Sequence, residues 1–251
     1  MNVLLVNDDG IEAKGLWTLY DAFVAKNYNV YMIAPKIEKS AMSQAITTRE
    51  ALRIEKKQEN VWSVSGTPAD CVLLAFEYIL KNEDIKIDFV VSGINAGPNL
   101  ASDVLYSGTV GAAIEAMNFG YKAIAISIDD IVSHKYETAA EALLYLIEKG
   151  ILDYIDHHEI ININVPNIDF GDIQGYTICS TGFSRYQDVV FKSNDGRNRE
   201  VFWISGADSI VETSKYEIDT YVIQENKVAI SPLKIDYNNY EKIKIMEKWK
   251  I

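Results

Sequence analysis

The chain has 251 residues, close to half of them apolar and about a quarter charged, so it can bury the core of one large α/β domain. Its formal net charge of −12 and the absence of a Lys/Arg cluster exclude sequence-independent nucleic-acid binding, which needs a basic face to neutralise phosphates. Any attraction for an anionic ligand must then be local, from a metal ion or from oriented backbone N–H groups.

Val3–Val6 is a short continuous apolar run, the pattern of a strand covered on both faces. Gly15–Ala25 follows as a helix, with Leu16, Leu19, Tyr20 and Phe23 at helical spacing. Asn29–Ala34 is a second strand ended by Pro35, and the polar stretch Lys36–Gln44 is a loop. Val61–Val64 is the next strand. Thr67 then has the chemistry of an N-cap, and Pro68 opens a helix through about Leu80. Phe89–Val91 reads as a strand ending at Ser92-Gly93, Thr109–Met117 as a helix of small residues, Ala123–Ile128 as a strand and Tyr136–Glu148 as a helix. Strands separated by helices imply right-handed crossovers and a doubly wound, mostly parallel Rossmann-like sheet.

After the strand Ile160–Val165 the texture changes to short β segments with turn signals such as Ser193-Asn194-Asp195-Gly196. Val201–Ile204 and Lys227–Ile230 suggest hairpins, and Tyr240–Ile251 a C-terminal helix. Residues 1–170 are therefore expected to form the metal- and phosphate-binding core. Residues 171–251 are expected to be a β-rich elaboration of the same domain: an oligomerisation arm, a returning strand and a tail. Cys71 and Cys179 lack metal-ligand spacing and read as buried apolar residues of a reducing compartment. The N-terminus has no leader pattern and no apolar run reaches membrane-spanning length, so the expected location is the cytoplasm, away from membranes. His134, His157 and His158 show no ligand spacing and are expected at the surface.

In an open parallel sheet, ligands bind beyond the carboxyl ends of the strands. Asn7-Asp8-Asp9-Gly10 falls there after the first strand, the loop with Ser40 after the second, and Ser92–Asn99 after the strand around Val91. Asp8 and Asp9 offer hard anionic oxygens; Ser40 and Asn95 offer neutral ones. Such a set suits Mg²⁺, Mn²⁺ or Ca²⁺, whose charge would let two adjacent carboxylates stay ionised. By itself, Asp-Asp-Gly is more often the turn and cap of an ordinary βα loop than a metal site. Ser107-Gly108-Thr109 before a helix suits a phosphate, because Gly108 permits close approach and the helix start presents N–H groups; a plain N-cap has the same residues. No Walker lysine, dinucleotide fingerprint or Gly-x-Ser-x-Gly is present.

Together these stretches resemble the SurE family. The resemblance rests on "LLVNDDG" (Leu4–Gly10), Ala34-Pro35 with Ser40, "AIT" (Ala45–Thr47), "SGTPADCV" (Ser65–Val72), "VSGINAGPNL" (Val91–Leu100), "YSGTVGAAIEA" (Tyr106–Ala116) and "ISPL" (Ile230–Leu233). Lys36 stands where the family often has an acidic residue, and Ala41 and Ser43 replace common glycines. The resemblance implies a metal-dependent phosphatase of nucleoside 5′- and 3′-monophosphates, with some polyphosphate cleavage. It implies one divalent ion, Mg²⁺ or Mn²⁺, on Asp8, Asp9, Ser40 and Asn95, with Asp8 or Asp9 also serving catalysis. Phosphate would be held by Ser107, Gly108 and Thr109, helped by Asn99. A homo-oligomer, dimer or tetramer, is also implied. Two rival readings are an aspartyl-phosphate phosphatase with Asp8 as nucleophile, and a non-catalytic nucleotide sensor. The first is disfavoured because such enzymes use Asp-x-Asp, whereas here the two acids are adjacent. Arg185 and Tyr186 are candidate contributors to base recognition from the arm.

Overall fold

The computed structural model describes residues 1–130, 132, 134–186, 190–204, 209–212 and 217–249, with side chains omitted for 185–186 and 209–212. Strand β1 (Asn2–Val6) is buried from Val3 onward and lies at the centre of the sheet. Its side chains alternate between two apolar layers. Val3 and Leu5 pack with Leu16, Leu19 and Phe23 of α1 (Lys14–Ala25) and with α5 (Tyr136–Glu148). Leu4 and Val6 pack under α2 (Pro68–Leu74) and α4 (Gly108–Asn118), where Ala112, Ala113 and Ala116 let the helix approach closely. Burying a leucine fully contributes roughly 1.5–3 kcal/mol, so the two-sided pattern of β1 commits it to the interior.

The remaining strands of the main sheet are β2 (Asn29–Pro35), β3 (Ile54–Gln58), β4 (Val61–Val64), β5 (Phe89–Ala96), β6 (Lys122–Asp129), β7 (Glu159–Pro166), β8 (Tyr176–Ile178) and β13 (Val228–Lys234). Their order is β3-β4-β2-β1-β5-β6-β7-β13-β8. The run from β4 to β7 is parallel; β3 and β13 are antiparallel to β4 and β7. The chain leaves β1 toward β2 on one side and returns to β5 on the other, which opens a crevice between the carboxyl ends of β1 and β5. The doubly wound, mostly parallel Rossmann-like sheet is therefore present. Among the described residues no helix is long and apolar enough to cross a membrane.

Thr67 caps α2 as expected: its hydroxyl accepts from the Asp70 amide, and the Asp70 carboxylate accepts from the Thr67 amide. That helix continues through a π segment (Ala75–Ile79) into the short α3 (Leu80–Asn82). Cys71 and Cys179 are buried free thiols.

Several expectations are corrected. Strand β5 does not stop at Ser92-Gly93; it continues, with a register shift, so that Asn95 pairs with Ser127 and Ala96 with Ile128. Strand β3 has no apolar run, only "IEKKQ": a charged edge strand needs little burial, and its exposed charges guard the sheet edge. Lys227–Ile230 is not a hairpin strand. It begins the returning strand β13, whose Val228, Ala229 and Ile230 are buried between β7 and β8. The arm does contain a hairpin, β10 (Val190–Asn194) with β11 (Glu200–Ile204), closed through Asp195, and a second pair, β9 (Phe183–Tyr186) with β12 (Ser209–Glu212). Helix α6 (Asp219–Gln224) has no counterpart in the sequence reading. The C-terminal helix α7 is shorter than expected, Tyr240–Met246, and residues 250–251 lie outside the described ones.

Candidate active site

The crevice between β1 and β5 opens into a cavity of about 690 Å³ lined by Asp8, Asp9, Ser40, Asn95, Asn99 and Ser107, with Lys14, Glu38, Asp103, Tyr106 and Tyr136 around them. Of the eight site residues expected from sequence, six line this cavity. Gly108 and Thr109 lie behind Asp8.

The turn after β1 explains how two carboxylates come to share this place. Asn7 is fully buried and bonds Gly10 in both directions: Nδ2 donates to the Gly10 carbonyl at 3.0 Å, and Oδ1 accepts the Gly10 amide at 3.2 Å. Gly10 has φ +104°, a backbone conformation that strains any residue with a side chain, and it packs on the backbone of Ile37 and Glu38. The Asp8 carbonyl accepts from the Lys39 amide at 2.7 Å, which ties the loop after β2 to the same turn.

Asp8 is buried against the N-terminus of α4. A Cβ on Gly108 would lie 2.9 Å from Asp8 Oδ2, so only glycine lets the carboxylate sit there. The Thr109 hydroxyl donates to Asp8 Oδ1. Thr109 is fully buried and therefore holds Asp8; its hydroxyl is not presented to the cavity. Ser107 is the N-cap of α4, its Oγ accepting the Val110 amide at 3.0 Å. Burial pushes the Asp8 carboxyl up to about 6; the Thr109 hydrogen bond opposes this and the charge of Asp9 adds to it. Asp9 is also pushed up by burial, opposed by the Ala96 amide, which donates to its Oδ2 at 3.2 Å. Among the described residues no Lys, Arg or His nitrogen lies within 4 Å of either carboxylate.

Asn95 donates Nδ2 to the Gly97 carbonyl at 2.8 Å, which leaves Oδ1 for the cavity. Ser40 is exposed at the rim, with its hydroxyl on Glu38 at 2.6 Å. Asn99 is anchored from below: its amide donates to Asn164 Oδ1 at 2.8 Å, its side chain to Ser127 at 2.8 Å, and its carbonyl accepts from Asn162 and Asn164. A buried and a half-buried carboxylate with neutral oxygens fit a hard divalent cation. Among the described residues no third His, Cys, Asp or Glu completes a metal-holding group with them.

His134 corrects another expectation. It is half-buried, its ring stacks on Tyr136 with centroids 4.9 Å apart, its Nε2 is buried without a hydrogen-bond partner, and its charge acts on Asp9. His157 and His158 are exposed, as expected. The side chains of Arg185 and Tyr186 lie outside the described residues. Ala41 (φ +57°) and Ser43 (φ +51°), where the resemblance leads one to expect glycine, have a left-handed backbone that glycine adopts most readily.

The family model "Survival protein SurE" matches residues 3–188. The chain belongs to the SurE family. It is 39% identical over 249 residues to the 5′-nucleotidase SurE of Histophilus somni strain 2336, covering 99% of this chain and 98% of that one. It is 36% identical to the 5′-nucleotidase SurE of Natranaerobius thermophilus over 259 residues, covering 99% and 98%. The crystal structure of the SurE protein from Aquifex aeolicus superimposes with a TM-score of 0.83 at 32% identity, covering 98% of each chain. The family model ends at residue 188, whereas the alignments with these relatives continue over the arm and tail.

Proposed function

We propose that this SurE-family chain is a divalent-metal-dependent phosphatase that hydrolyses nucleoside 5′- and 3′-monophosphates to nucleoside and phosphate, and also cleaves phosphate from short polyphosphate. The observation that carries the reading is the adjacent carboxylate pair at the sheet's switch point, Asp8 buried against a helix N-terminus and Asp9 half-buried beside it, with no ion-pair partner for either among the described residues. Its relatives named 5′-nucleotidase, aligned over nearly their whole length, support the substrate class.

Asp8, Asp9 and Asn95 Oδ1 would hold the cation, with the Ser40 hydroxyl completing the set by leaving Glu38. When bound, such an ion neutralises phosphate charge and lowers the pKa of water. The residues themselves do the rest. The Ser107 hydroxyl, on the cavity, and the Gly108 N–H beside it would receive oxygens of the transferring phosphoryl group; the Val110 N–H is taken by Ser107 Oγ and the Thr109 N–H by Asp8. Thr109 fixes the Asp8 carboxylate. One member of the pair accepts the proton of the attacking water, from within hydrogen-bond reach. Asn99, held from beneath by Asn162 and Asn164, presents a rigid wall on the phosphate side.

The test is release of inorganic phosphate from a panel of nucleoside 5′- and 3′-monophosphates and p-nitrophenyl phosphate, with Mg²⁺, Mn²⁺ or chelator. The reading expects turnover with metal and none with chelator. Binding without turnover supports a sensor, and a covalent adduct on Asp8 with a phosphate mimic supports the aspartyl-phosphate mechanism.

A further inference from the structure

The segment from Asn99 to Ser107 forms one wall of the cavity, through Asn99, Asp103, Tyr106 and Ser107. Its Asn99 end is held by the sheet, as described above. Its middle is held from a different part of the chain. Asp219, at the start of α6, is fully buried; its Oδ2 accepts the Ala101 amide at 2.8 Å, and its Oδ1 accepts the Gly182 amide at 3.0 Å and the Thr220 amide at 2.9 Å. Beside it, the Ser184 amide donates to Ser102 Oγ at 2.9 Å and the Ser102 amide donates to Ser184 Oγ at 3.3 Å. Ala101 has φ +48°, a backbone conformation that alanine adopts only when its surroundings impose it.

A buried carboxylate with no cation is costly unless hydrogen bonds satisfy it. Among the described residues Asp219 has no ion-pair partner, and its burial pushes the carboxyl up despite the three N–H donors. What this cost secures is the join between two segments: Ala101-Ser102, behind the lining residues Asn99 and Asp103 in the same stretch of chain, and Gly182–Ser184, where the arm leaves the core. Ala101 and Asp219 are separated by 118 residues of sequence.

We infer that Asp219 is a positioning residue of the active site, holding the Ala101–Ser107 wall in register with the base of the arm so that the seating of the arm sets the geometry of the phosphate side. The kinetic part of this inference rests on the phosphatase reading; the positional part does not.

The experiment compares full-length wild type, Asp219→Ala, Asp219→Asn and the double variant Ser102→Ala/Ser184→Ala by amide hydrogen exchange and by steady-state kinetics. Asp219→Ala should speed exchange of amides 99–107 by about tenfold or more and leave amides 7–10 as in wild type. Its kcat should fall by roughly ten- to a hundredfold, as expected for a misplaced site, while Mn²⁺ affinity stays within about twofold. Asp219→Asn keeps one acceptor oxygen and should recover part of both losses. If Asp219→Ala does not fold, the double serine variant, which removes only the neighbouring hydroxyl pair, carries the same test in the same direction. A folded Asp219→Ala, or a folded double variant in its place, with unchanged exchange at 99–107 and unchanged kcat overturns the inference. A wild-type chain that releases no phosphate from any nucleotide counts against the phosphatase reading instead, and the exchange data then decide the positional claim alone.

Discussion

The sheet-centre crevice and the arm and tail handle polar and apolar groups in opposite ways. At the β1–β5 crevice, polar side chains are buried and nearly every one is committed: Asn7 to Gly10, Thr109 to Asp8, and Asn99 to Ser127. In the arm and tail, large apolar side chains stand in solvent instead: Phe191, Phe202, Trp203 and Ile204 on the hairpin, Ile245 and Trp249 near the C-terminus. The first region stores cost in desolvated charge, as sites built for chemistry do. The second leaves large apolar side chains in solvent; we propose that a second copy of the chain covers them.

The comparison is broken most forcefully at the carboxylates. Asp8→Asn and Asp9→Asn should each lower kcat by about two to four orders of magnitude with folding retained, checked by phosphate release and circular dichroism. Near-normal rates in both would remove the crevice from the chemistry. Gly108→Ala follows: the methyl group meets Asp8 Oδ2 at 2.9 Å, so activity should drop on the order of tenfold or more while thermal stability changes little. A full rate would mean that Asp8 need not lie against α4.

Stability sharpens the contrast with a definite sign. The Asp8 carboxyl is raised from 3.8 to about 6 by burial, so its contribution to stability is complete below 3.8 and is lost as pH climbs through about 6. In chelator, wild type should therefore lose up to about 3 kcal/mol relative to Asp8→Asn between pH 4 and pH 7.5. Added Mn²⁺ should restore wild type alone, read as Tm; an Asp8→Asn variant less stable than wild type at pH 7.5 in chelator would contradict the desolvated-charge account. At the other region, Trp203→Ser with Ile204→Ser should shift the assembly toward monomer in light scattering and cost little stability within the monomer. An unchanged mass would leave the exposed hairpin without the proposed partner. The smallest effect is expected at Ala41→Gly, where relief of a left-handed φ outweighs added chain freedom by about 0.5 kcal/mol.

What could be read in advance followed from local chemistry. The apolar run of β1, the capped start of α2 and the polar tips of β1 and β5 announce themselves because burial periodicity and caps are local. The hydroxyl of Thr109 did not: at a helix start it can face a ligand or a neighbour, and only the arrival of Asp8 decides. Strand β3 is held by an edge pairing that leaves its charges exposed, so it carries no period-two signal. Asp219 sits in a stretch without a motif, and the two partners that join it to other segments, Ala101 and Gly182, are far away in sequence. His134 became a neighbour of Asp9 only through the seating of Tyr136 beside the crevice.

The measurement that bears most directly on the central claim is titration of the chelator-treated protein with Mn²⁺, followed by electron paramagnetic resonance, for wild type, Asp8→Asn and Asp9→Asn. The account predicts one tight equivalent in wild type, weakened about tenfold or more in each variant and displaced in parallel with loss of phosphate release. Equal Mn²⁺ binding by all three proteins would contradict it.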